Sequence, residues 1–191
     1  MSNTTTQAGP LGTASATRNE IVAMASAAAF GRRLIQNNLR SIIVEAMVAK
    51  ALGSAWRWSS ADWAPYDFEG PNGIQLEVKQ SAAQQTWSTP TSKPSKPLYD
   101  IAARKGFFVQ GPDGSVWTAK TGRNADVYVF ARNDVVGEQA DHRDPAQWRF
   151  YVVPACDLPT TKTIGIAAIR VAPVSFVQLE QEVRRITAVV G

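Results

Sequence analysis

Apolar and polar positions along this chain change period several times, and each change marks an element. From Glu20 to Leu52 the spacing is helical, with the Ala-rich stretch Ala23 to Ala29 favouring helix and Asn19 placed to cap its start. Gly31 or the pair Asn37-Asn38 breaks the run, so two helices are expected. The second carries an apolar stripe at Leu39, Ile42, Ile43, Ala46 and Met47 and stops at Gly53. Ile74, Leu76 and Val78 then alternate with Gln75, Glu77 and Lys79, the period of a strand. Gly70-Pro71-Asn72-Gly73 before them reads as the turn of a hairpin. Ser81 to Trp87 reads as the opening of a helix. Residues 101–110 and 115–119 flank a second turn, Gly111-Pro112-Asp113-Gly114. Residues 126–131 and 148–154 are rich in β-branched and aromatic side chains and read as strands around a polar loop. Residues 163–171 suit a strand or a loop, and 175–186 form an amphipathic helix.

This order predicts a mixed α/β layer fold. One domain is expected from residue 19 to 191. Residues 1–18, rich in Thr, Ser, Ala and Gly, read as a disordered tail.

Composition narrows the chemistry. The chain has 191 residues, 45% hydrophobic and 19% charged, with a net charge of +4. No apolar run reaches the ~18 residues of a membrane span, and the start lacks the pattern of a secretory signal. A single cysteine, Cys156, excludes an internal disulfide, which suits a reducing cytoplasm. With one histidine, His142, multi-histidine zinc sites are excluded, and a catalytic triad would have to use that residue. No phosphate-binding glycine loop occurs. Carboxylates, lysine and a hard cation are what remains for catalysis.

The hairpin concentrates such groups. A three-residue loop of Pro71, Asn72 and Gly73 places Gly70 opposite Ile74 and Asp67 opposite Glu77. Like charges directly opposed destabilise a strand pair, and a divalent cation between them would compensate. Glu77 and Lys79 share one strand face with Gln75. They suit either phosphodiester hydrolysis beside a metal or an ordinary salt-bridged surface. Glu45 lies among apolar residues in Ile42-Ile43-Val44-Glu45-Ala46-Met47, so its carboxylate needs a partner: a basic residue such as Arg40 or Lys50, or the same cation.

A helix glutamate, then Asp67, then a hairpin ending in Glu77-Val78-Lys79 resembles the PD-(D/E)XK, or restriction endonuclease-like, nuclease superfamily. The stretch Glu77-Val78-Lys79-Gln80-Ser81-Ala82-Ala83-Gln84-Gln85-Thr86-Trp87 is similar to strings found in that group, and residues 122–131 and 144–154 are similar to its next two core strands. The proline usual before the Asp is replaced by Tyr66, with Pro65 one place earlier. The likeness spans residues 35–158. It implies an αβββαβ core around a mixed β-sheet flanked by helices, and Mg²⁺-dependent DNA cleavage, with Mn²⁺ able to substitute. It further implies that Asp67, Glu77 and the carbonyl of Val78 bind the metal, with Glu45 joining directly or through water, while Lys79 sits by the attacking water. Gln85, in the following helix, would touch the phosphate or orient Lys79, unless it is an ordinary surface glutamine.

Between Lys79 and Arg123 the basic residues Lys79, Lys93, Lys96, Arg104, Lys105, Lys120 and Arg123 face only Asp100 and Asp113. DNA phosphates favour that balance. Lys93 and Lys96, in a Pro-rich loop, are candidates for phosphate contact or simply solvated charges. Double-strand cutting would imply two sites and hence a homodimer. The competing reading is a catalytically inactive nuclease-fold module serving DNA binding or protein assembly.

Overall fold

The computed structural model describes residues 16–59, 64–111 and 114–190, and the side chains of Gln110 and Gly111 lie outside that description. Most of the predicted N-terminal tail, the tip of the second turn and Trp63 therefore lie outside the described residues. The chain divides between Arg32 and Arg33 into two compact units. The first contains α1 (Arg18–Phe30), capped by Thr17 in a reciprocal arrangement with Glu20: Glu20 N–H donates to Thr17 Oγ1 at 3.2 Å and Thr17 N–H to Glu20 Oε2 at 2.7 Å. The spacing Thr-x-x-Glu outcompetes Asn19, the expected cap, because it satisfies two free N–H groups at once.

The second unit opens with α2 (Asn37–Leu52), which ends as expected at Gly53, where φ is +70°. Its central sheet has five strands in the order β1 (Arg57–Trp58), β2 (Phe68–Glu69), β3 (Gln75–Ala82), β7 (Val127–Asn133) and β8 (Trp148–Pro154). Only β3 and β7 run parallel; the other neighbours are antiparallel, so the sheet is mixed. Along β3, Leu76 and Val78 turn to one side, where they pack with Val44, Met47 and Val48 of α2 and with Leu179 and Val183 of α3 (Leu179–Val190). The other side carries Tyr128 and Phe130 of β7, covered by Tyr99, Ile101, Leu158 and Ile164.

A parallel pair requires a crossover. The αβββαβ pattern puts a helix there. In this protein the residues after β3 form turns, then β4 (Leu98–Asp100), which pairs with β9 (Thr163–Gly165), and then a separate hairpin of β5 (Arg104–Gly111) and β6 (Gly114–Gly122). Ser81 to Trp87 completes β3 and turns; it does not open a helix.

Two buried polar residues fasten this unit. Arg40, 1% exposed, donates from Nε to Gln80 Oε1 at 2.6 Å, from Nη1 to Gln85 Oε1 at 3.0 Å and from Nη2 to Asn37 Oδ1 at 2.6 Å. Burial, and secondarily the charge of Arg132, lowers its pKa to about 10, so it stays protonated at neutral pH. His142, predicted in a polar loop, is fully buried. Its Nδ1 accepts from Ile35 N–H at 3.0 Å, which leaves Nε2 to donate to the Gln84 carbonyl at 3.2 Å. Burial, then the nearby Arg40 charge, holds its pKa down at about 4. With both nitrogens committed, His142 is a structural member and not a triad base.

Arg40→Ala strips three amide oxygens of their donor and is expected to destabilise the fold by about 3 kcal/mol, read as a lower denaturation midpoint. His142 is neutral in the fold but takes a proton at 6.5 when unfolded, so its contribution is intact above that pH and is lost as pH falls toward about 4. Melting temperature should drop across that window, and His142→Gln should flatten the slope.

Candidate active site

The turn at Pro71–Gly73 sets the site. Asn72 and Gly73 both adopt left-handed backbone, φ 59° and 74°, which these two residue types tolerate best. The chain reverses as predicted: Gly70 N–H donates to Ile74 O at 2.8 Å, and Phe68 faces Leu76. At Asp67 the ladder slips. Its N–H goes to Leu76 O at 3.1 Å, so Asp67 and Phe68 both meet Leu76, the pattern of a β-bulge. The expected direct opposition of Asp67 and Glu77 is thereby relaxed. Strand β2 begins only at Phe68, and before it the Asp67 side chain takes over the ladder, its Oδ2 accepting from Val78 N–H at 2.7 Å.

Glu77 and Lys79 do share a face, and Lys79 Nζ lies 2.5 Å from Glu77 Oε1, with both side chains largely covered. Their neighbours on β7 are Tyr128 and Phe130. Glu45 comes from α2. It makes no ion pair with Arg40 or Lys50; Trp58 Nε1 donates to its Oε2 at 2.9 Å, and the indole stacks on Phe68. Trp58 was not foreseen as a partner, because nothing local to it in sequence points to an acid thirteen positions away.

The three acids and the lysine act on one another. Burial above all, then the charges of Glu77 and Glu45, push the Asp67 carboxyl up to about 8, against the opposing pull of the Val78 N–H and Lys79. Burial also raises Glu45, with Glu77 adding and with Trp58 and Lys79 opposing. Among the described residues, no three His, Cys, Asp or Glu side chains are gathered tightly enough to cage an ion. The donors at hand are hard oxygens: the carboxylates of Asp67 and Glu77 from the hairpin and of Glu45 from α2. That set fits Mg²⁺, which commonly takes one or two carboxylates and keeps several waters.

The other candidates fall elsewhere. Gln85 lies in a turn, 6% exposed, its oxygen accepting from Arg40 and its Nε2 donating to Ala82 O at 2.8 Å. Its amide is spent inside the protein. Gln80 is the other glutamine holding Arg40. Lys93 and Lys96 are exposed. Lys93 lines a cleft of about 690 Å³ with Arg33, Gln84 and Ser88, and none of Glu45, Asp67, Glu77 or Lys79 borders it.

No protein-family model matches the chain. Among solved structures it is similar to a bacterial homing endonuclease, I-Ssp6803I, at 17% identity and a TM-score of 0.40, over 80% of this chain and 93% of that one. A likeness that loose assigns neither chemistry nor residues. No helix among the described residues is long and apolar enough to cross a membrane.

Asp67 gives the site a pH signature. The unfolded chain releases its proton near 3.8 and the folded protein holds it to about 8, so stability present at low pH is lost as pH climbs through that window. In chelator the melting temperature should fall over that range, and Asp67→Asn should remove most of the fall.

Proposed function

We propose that this protein is a metal-dependent DNA endonuclease of the PD-(D/E)XK type. The observation that carries the reading is the Asp67 carboxyl, driven up to about 8 beside Glu77 and Glu45 with Lys79 the adjacent ammonium. Acids whose charges push a buried neighbour's pKa up are costly to a fold and typical of catalytic centres. A cation held by Asp67 and Glu77, with the Val78 carbonyl and Glu45 assisting, relieves that repulsion. When bound, Mg²⁺ would neutralise charge on the phosphate and acidify a water.

The chain's own groups complete the chemistry. Lys79, oriented by Glu77, positions the attacking water and offsets charge developing on the phosphoryl oxygens. The Val78 N–H fixes the orientation of Asp67. The Trp58 indole fixes the Glu45 carboxylate by a hydrogen bond. DNA is the proposed substrate on the strength of the basic stretch after β3. Double-strand cutting would take two copies of the chain.

A second reading has its own support. The Lys79–Glu77 ion pair and the lack of a three-ligand cage among the described residues suit a nuclease fold retained for DNA binding without catalysis. Supercoiled plasmid separates the two. The endonuclease nicks or cuts it with Mg²⁺ or Mn²⁺, and Lys79→Ala lowers the rate at least about a hundredfold while leaving the melting temperature near that of the parent. DNA retention with no metal-dependent cutting supports the inactive module. Robust cutting in excess chelator refutes metal dependence.

A further inference from the structure

We propose that the cleft beside the acidic cluster receives one unstacked nucleobase of the strand being cut, so that the preferred substrate is DNA with an unpaired nucleotide at the cleavage point. This deepens the endonuclease reading and rests on it. The cleft measures about 370 Å³ and runs between the sheet edge at Tyr66 and the β5–β6 hairpin, which contributes Phe107, Val109 and Lys120; Gln75 and Asn124 also line it. Tyr66 immediately precedes Asp67. Gln75 sits two residues before Glu77 on the same face of β3, about 7 Å along the strand. A single nucleotide spans that interval, with its phosphate at the acids and its base in the cleft.

The lining matches a base. Phe107 and Tyr66 offer aromatic surface and Val109 an apolar one, which suits stacking against any base. Lys120 supplies a cation for a flanking phosphate. Asn124 is the decisive residue. It is 9% exposed, and its side-chain carbonyl has no hydrogen-bond partner. Buried amides are nearly always paired, so the unpaired Asn124 oxygen, itself enclosed, gains a partner when the side chain turns into the cleft. An Asn amide carries a donor and an acceptor side by side, complementary to the edge of a nucleobase. A base inside a duplex cannot reach such a pocket without leaving the stack. That step is least costly where the nucleotide is already unpaired.

The test compares cleavage of synthetic DNAs of one sequence in Mg²⁺: fully paired, carrying a single mismatch, carrying a one-nucleotide bulge, and single-stranded. The unpaired substrates should be cut at least about tenfold faster than the paired one. Asn124→Leu should bring the rates together. So should Val109→Trp, which fills the cleft from a position 45% exposed and is therefore tolerated by the fold. Equal rates on paired and unpaired DNA by the parent protein overturn the pocket and leave the endonuclease reading standing. So does a preference that survives Val109→Trp. Failure to cut any of the substrates overturns the endonuclease reading, and the pocket with it.

Discussion

A buried guanidinium without a carboxylate partner holds this structure together. Arg40 is enclosed and carries its charge on three amide oxygens, from Asn37 in its own helix and from Gln80 and Gln85 at the far end of β3. A charge taken out of water survives only where every donor finds an acceptor. The three amides thereby seat α2 on the strand. Glu45 lies five residues further along that helix, and the seating brings its carboxylate to Trp58, within electrostatic reach of Asp67 and Glu77. His142 belongs to the same fastening. It is kept neutral by burial and by the Arg40 charge, and it ties Ile35 to the turn after β3.

β3 thus has opposite electrostatic character at its two ends. Toward its C-terminal end, a buried positive group is neutralised by dipoles alone. Toward its N-terminal end, carboxylates outnumber the one ammonium among them, and Asp67 holds its proton to about 8. Both arrangements cost stability. They differ in what relieves them. The Arg40 site is closed, with each of its three guanidinium nitrogens donating to an amide oxygen from within. The acidic site is only partly covered, so a group from outside can reach it, as the proposed cation would.

The crossover between β3 and β7 decides what surrounds that open end. Where a helix would have packed over the sheet, residues 83–126 place a short strand paired to β9 and a two-stranded arm. The arm carries Arg104, Lys105 and Lys120, three of the basic residues that follow the site in sequence, on one two-stranded ribbon. One wall of the cleft is built from this ribbon. Part of the positive charge noticed along the chain is thereby carried on a hairpin and not on a helix.

Much of this was legible in the amino-acid order. The two helices, the turn at Pro71–Gly73, the Glu77–Lys79 face and strands β7 and β8 follow from periodicity and turn chemistry, which act between residues a few positions apart. The mixed sheet follows from the order of those elements. What the chain could not reveal by itself was every feature that depends on a distant partner: Arg40 meeting Gln80 and Gln85, Trp58 meeting Glu45, His142 buried against Ile35, the slip of the ladder at Asp67, and Asn124 left without a partner beside a cleft. Hydrophobic spacing determines which face of an element is covered. Only packing decides which polar groups are trapped beneath that cover and must find one another there, because the cost of an unpaired buried group arises after the chain has closed over it.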